Sequence, residues 1–231
     1  MMMAYPNTLH AILLSVFLAA SASAGSITGK VSATPPSGPL GDSAGGDAYA
    51  SRRYKFVEKI DYASLRDFIV YIDQPVAEIT PGAPSLAAVT TQKNANFEPH
   101  VLPVAVGTTV RWPNDDDIYH NVFSMSDTKE FDLGYYKKDK TPELVFDKVG
   151  RVDVFCAIHS KMHCIILVLP NAFFAAADVR GRYQIRDVPA GTYRVRAWHE
   201  RLPSRTLSVT VPAEGEVHVD FLLGLAALPK S

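Results

Sequence analysis

From Ser26 onward the chain is written in short runs of alternating apolar and polar residues, broken by glycine, proline and asparagine turns. That pattern leaves an all-β fold as the natural outcome, because a period of two buries one face of a strand and no face of a helix. Strands are expected at Ser26–Val31, Phe68–Ile72, Val101–Val106, Thr108–Trp112, Leu144–Phe146, Arg151–Phe155 and Ile165–Leu169. Further on, Thr192–Trp198, Thr206–Val211 and Glu216–Phe221 read the same way, and Asp178–Ile185 reads as a hairpin turning at Arg180-Gly181. Many short strands at this spacing predict sandwiches or barrels. A short helix is expected only within Tyr54–Asp67, and Pro35–Asp47 and Ala77–Leu86 read as loops rich in proline.

The chain has 231 residues, enough for one large or two modest domains. Composition and turn signals divide it into residues 1–24, 25–85, 86–170 and 171–231. The first strands, Gly29-Lys30-Val31 and Phe68–Ile72, look like the opening of the sandwich that continues at Asn171, with the middle block inserted between its halves.

Ala11-Ile12-Leu13-Leu14-Ser15-Val16-Phe17-Leu18-Ala19-Ala20 is a short apolar core, and Ala22-Ser23-Ala24 follows as an A-x-A cleavage site. This predicts a secretory signal cleaved after Ala24. The alternative is a buried apolar helix or a membrane anchor, although the run is shorter than a bilayer requires. No later segment reaches transmembrane length, so the mature chain is expected to be soluble, exported and not inserted in a membrane. The formal net charge of −1 gives no reason to expect nucleic acid as a partner.

Cys156-Ala157-Ile158-His159-Ser160-Lys161-Met162 places a thiolate, an imidazole and a thioether in one loop, and His120 adds a second imidazole from another. Soft sulfur donors with two imidazoles suit copper that cycles between Cu(I) and Cu(II), and a His2Cys set with a weak axial Met is the ligand pattern of blue-copper centres. The competing reading of Cys156 is a disulfide with Cys164, the only other cysteine.

Phe97-Glu98-Pro99-His100, Val106–Asn114, His120-Asn121-Val122 and Phe155–Met162 together resemble a cupredoxin, and the Cys-x2-His-x2-Met spacing resembles the amicyanin-like members. Asn171–Ala175 and Asp187–His199 are similar to the carboxypeptidase-regulatory-like β-sandwich of exported proteins of the methylamine utilization type. The resemblance implies a Greek-key cupredoxin sandwich beside a second small β-sandwich, and one type 1 copper bound by His120, Cys156, His159 and Met162. It also implies that Asn121 ties the two ligand loops by hydrogen bonding. His163 and Cys164 depart from the family pattern and stand as possible extra ligands. The function implied is one-electron transfer in the periplasm between redox partners, with no enzymatic step. A copper-delivery protein without redox cycling and a metal-free adhesion module are the alternatives.

Met125 reads as a packing residue and His199 as structural. Asp115-Asp116-Asp117 reads as a solvated turn, because three consecutive carboxylates do not point one way. The cupredoxin resemblance further implies an electron exit at His159, with Ile158 beside it, and Lys137, Lys138, Lys140 and Lys161 could form a basic rim for an acidic partner or be scattered solvated charges. No nucleophile elbow, phosphate loop or His-Glu-x-x-His helix is present.

Overall fold

A computed structural model describes residues 24–35, 60–76 and 88–224. Two strands come first, β1 (Ala24–Ala33) and β2 (Ile69–Ile72). Next come β3 (Ala88–Val89), β4 (Thr91–Lys93), β5 (Asn96–Glu98), β6 (Val101–Ala105) and β7 (Thr108–Arg111). They are followed by β8 (His120–Ser126), β9 (Lys129–Tyr136), β10 (Glu143–Phe146), β11 (Gly150–Phe155) and β12 (His163–Leu169). The last group is β13 (Phe174–Ala176), β14 (Arg182–Pro189), β15 (Gly191–His199), β16 (Leu202–Val211), β17 (Glu216–His218) and β18 (Phe221–Leu223). The fold is all-β; among the described residues there is no helix. The apolar core and cleavage site of the expected N-terminal signal lie outside the described residues, apart from Ala24.

Two sandwiches result. In the first, β1 lies between β14 and β17 and also pairs with β18, while the facing sheet runs β13-β2-β15-β16. Ile27 stands opposite Ile185, and Val70 opposite Ala197. The N-terminal strands therefore complete sheets otherwise built from the C-terminal third. Alternate residues of β1, Ile27 and Val31, join Ile185, Val195, Val209 and Phe221 in its core. The second sandwich is built between these halves. Its sheets run β10-β7-β3 and β6-β12-β11-β8-β9, around Val110, Trp112, Val122, Phe146, Val152, Val154 and Ile166.

β2 and β12 are buried on both faces, which explains their unbroken apolar sequences. Val70 and Ile72 face the core of the first sandwich, and Cys164, Ile166 and Val168 face that of the second. The opposite faces, Ile69 and Tyr71 with Ile165, Leu167 and Leu169, meet along a third apolar cluster that joins the two sandwiches. At ~25 cal/mol per Å² of apolar area, such a seam resists separation.

Three expectations change. Residues 54–59 of the expected helix lie outside the described residues, and Ile60–Asp67 form a turn followed by irregular chain. There the Asp61 side chain accepts from the Ala63 amide at 3.1 Å, a local bond that competes with helix. The turn at Asp178–Arg182 is real, closed by Gly181 N–H to Asp178 C=O at 2.8 Å, but the strands flanking it enter different sheets. Met125 does not pack: it is 77% exposed, in a hairpin of β8 and β9 opposite Glu130.

Candidate metal centre

β8 and β11 are adjacent antiparallel strands, with Phe155 opposite Phe123. His120 is the first residue of β8 and Cys156 follows the last residue of β11, so the pairing brings both to one end of the sheet. The loop from Cys156 to Met162 then leads into β12. It is closed by two backbone bonds, Met162 N–H to His159 C=O at 2.9 Å and Cys156 N–H to Met162 C=O at 3.2 Å. His159 is thereby folded back over the cysteine.

The donor atoms form a tight triangle. His120 Nδ1 lies 3.2 Å from His159 Nδ1, and Cys156 Sγ lies 3.8 Å from the first and 3.6 Å from the second. The point equidistant from the three corners is roughly 2.1 Å from each, as the radius of the circle through them, which matches the ~2.0–2.3 Å of metal bonds to imidazole nitrogen and thiolate sulfur. These residues fit a thiophilic metal ion. His120 is fully buried, Cys156 nearly so, and His159 partly exposed. Met162 is fully buried in the same apolar cluster as Cys156.

Asp116 fixes His120. Its Oδ2 accepts from His120 Nε2 at 2.9 Å, which places that ring proton on Nε2 and leaves Nδ1 as the lone-pair nitrogen facing Cys156. The carboxylate also accepts the amides of Asn94 at 2.7 Å and Ala95 at 2.9 Å, in the tight turn between β4 and β5. Burial works to raise the Asp116 pKa, but the hydrogen bonds from Ala95, His120 and Asn94 outweigh it, and the group stays below the usual carboxylate range. Asn114 shapes this loop: its Oδ1 accepts the Asp116 amide at 2.9 Å, and its Nδ2 donates to the carbonyls of Ile118 and Tyr136 at 3.0 Å each. Asp115-Asp116-Asp117 is thus not a uniform solvated turn. Asp116 points inward, while Asp117 pairs with Lys138 at 2.8 Å.

The other expected site residues fall in different places. Asn121 is buried, and its Nδ2 donates to Asp132 Oδ1 at 2.6 Å, tying β8 to β9. Cys164 is fully buried within β12, where burial, with Asp153 adding to it, pushes the thiol well above its ordinary pKa. Both cysteines are free thiols. His163 stacks on Phe155 with ring centres 4.8 Å apart and donates from Nε2 to Asp153 Oδ1 at 2.9 Å. His199 is buried against Phe68, with ring centres 4.9 Å apart.

No family model matches the chain, and no curated protein matches it. Solved structures do. A purple cupredoxin from Nitrosopumilus maritimus is 26% identical, with a TM-score of 0.32, over 35% of this chain and 98% of that one. A reduced Cu(I) form of an amicyanin variant is 27% identical, with a TM-score of 0.34, over 43% of this chain and 97% of that one. A copper-containing nitrite reductase from Thermus scotoductus is 26% identical, with a TM-score of 0.36, over 43% of this chain and 26% of that one. Each of these likenesses covers less than half of this chain, whose described residues are all-β and form two sandwiches joined along an apolar seam.

Proposed function

We propose that His120, Cys156 and His159, with Met162 as a weak fourth donor, hold one copper ion of the type 1 kind, and that the protein carries single electrons between redox partners outside the cytoplasm. The observation that carries this reading is the Nδ1–Nδ1–Sγ triangle, whose sides of 3.2, 3.6 and 3.8 Å suit three metal bonds without rearrangement. Bound copper would supply a one-electron couple, tuned by the thiolate and the axial thioether. The chain's part is to hold the donors still. Cys156 is anchored to β11, His120 to β8 and to Asp116, and His159 by the closed loop, so their positions should change little with oxidation state. Burial of His120 and Cys156 keeps water from the donors.

His159 is the only one of these three donors that is partly exposed, and Ile158 beside it is 50% exposed, so electrons would leave through this edge. Of the four lysines of the expected rim, Lys138 is paired with Asp117, and Lys137 sits 4.6 Å over the Tyr119 ring. Lys140 and Lys161 remain as exposed charges that would favour an acidic partner. The apolar run and A-x-A site before Gly25 support export to the periplasm, and the arrangement as a whole resembles exported proteins of the methylamine utilization type.

Voltammetry of the copper-loaded protein tests the carrier role. A reversible couple that persists over repeated cycles supports it. Copper that leaves on reduction, or binds only as Cu(I), would instead identify a delivery protein.

A further inference from the structure

The geometry points to a second metal site, formed by His100, His163 and Glu200 at the seam between the two sandwiches, that would take a borderline divalent cation such as zinc. His100 lies in the turn between β5 and β6, and His163 opens β12. Glu200 comes from the other sandwich, in the turn between β15 and β16. Each residue offers one ligand atom, and all three atoms lie within 4.8 Å of one another. Two imidazoles and one carboxylate leave a fourth position for water, a donor set suited to zinc or Cu(II) rather than to calcium or magnesium. All three residues are partly buried, so an ion can enter while the ligands stay positioned.

The hydrogen bonds orient the ring nitrogens toward a shared point. His100 Nδ1 is 3.2 Å from the carbonyl oxygen of His163, which only accepts, so Nδ1 carries the proton. His100 Nε2 is then aimed at Glu200 Oε1, 3.1 Å away. A metal ion between these two atoms would take the place of the ring proton that otherwise joins the pair. His163 is prepared in the complementary way. Its Nε2 donates to Asp153 Oδ1 at 2.9 Å, which leaves its other nitrogen free to bind. Asp153 is itself held by Arg151, whose Nη2 and Nε donate at 2.6 and 2.8 Å. Burial works to raise the Asp153 carboxyl, and the bonds from Arg151 and His163 override it.

An ion bound here would clamp the sandwiches together beside the apolar seam of Val101, Ile165 and Trp198. It would do so next to Met162, the neighbour of His163 in the chain. The site shares no ligand with the Cys156 centre and stands or falls separately from it.

Calorimetric titration of zinc into full-length Cys156→Ser protein tests the site, with wild type titrated in parallel. The site predicts one bound equivalent in Cys156→Ser that His100→Ala and Glu200→Gln each abolish or weaken by more than the ~10–100-fold that loss of an outer-shell partner costs. It also predicts a zinc-dependent rise in Tm that both substitutions remove. Glu200→Gln is close in shape, and an unchanged near-UV circular dichroism spectrum would show that its fold is intact. In wild type, zinc stoichiometry should fall by one in each variant, which keeps the test decisive if Cys156→Ser does not fold. Zinc binding that neither substitution weakens, or no zinc binding at all, would overturn the proposal and leave any copper colour at Cys156 unaffected. A wild-type protein that binds zinc as predicted but shows no copper colour would sink the copper reading alone.

Discussion

Asp116 holds His120 by its far nitrogen at 2.9 Å, and the same carboxylate grips the turn between β4 and β5 through the amides of Asn94 and Ala95. One side chain therefore sets the ring orientation of a candidate ligand and pins the turn between β4 and β5 beside it. Asp116→Ala should lower copper affinity about 10–100-fold, because the ring loses its orienting partner while the three donors remain. The visible colour of the loaded form should survive at saturating copper. Affinity measured by competition with a chelator checks this, and an unchanged value would show that Asp116 serves only the turn.

The two cysteines should behave as different chemical species. Cys156 stands at the donor triangle, while Cys164 is sealed in β12 with its proton held by burial. In native apo protein a thiol reagent should modify Cys156, at the edge of the sheet, faster than the fully buried Cys164. In copper-loaded protein neither should react, and both should react after denaturation. Cys164→Ala should cost about 1–3 kcal/mol in stability by opening a small cavity, with the copper spectrum unchanged. A Cys156–Cys164 disulfide persisting in fully loaded protein would contradict the assignment of Cys156.

The first sandwich should depend on its N-terminal strands. β1 lies in the middle of its sheet, and a Cβ on Gly29 would collide with the Val219 carbonyl oxygen. Gly29→Ala should therefore destabilise the protein by roughly 1–3 kcal/mol, because backbone must move. A fragment beginning at Thr90 lacks β1 and β2 and should leave the C-terminal strands without a cooperative transition. A well-folded 171–231 fragment would show that those strands do not need them.

Tyr183 gives this sandwich a pH signature. Its hydroxyl donates to Val219 C=O at 2.6 Å, and burial, with the Asp220 carboxylate adding to it, holds the phenol well above its usual value. The folded chain keeps this proton where the unfolded chain loses it. Its contribution is full below about pH 10 and declines as pH rises further. Tyr183→Phe should cost about 1 kcal/mol at neutral pH, and should reduce the alkaline loss of stability seen in denaturant titrations above that pH. An alkaline slope identical in both proteins would contradict this account.

Much of the architecture was legible because it is written locally. The strands around Ile27, Val70, Val195 and Val209 announce themselves by alternation or β-branched runs, and Cys156, His159 and Met162 are separated by short fixed spacings. What escaped was decided over long distances. Asp116 looks like either of its neighbours until the turn at Asn94-Ala95 folds back on it. Glu200 is unremarkable as sequence and meets His100 only because β2 and β12 press their second faces together. The apolar runs Phe68–Ile72 and Ile165–Leu169 read as strands but do not show that both faces are buried or what buries them. The β8–β9 hairpin was missed because its polar outer face dilutes the pattern: Phe131 and Leu133 alternate with Glu130, Asp132 and Gly134.

The most direct test is a visible and EPR spectrum of the purified full-length protein with one equivalent of Cu(II), taken beside Cys156→Ser. A thiolate ligand in a His2Cys site predicts an intense visible charge-transfer band and a compressed copper hyperfine splitting, both lost in Cys156→Ser. Met162→Leu should keep the band and shift the reduction potential. A nearly colourless Cu(II) complex with the EPR pattern of a tetragonal nitrogen and oxygen site would contradict the assignment of His120, Cys156 and His159 as a type 1 copper centre.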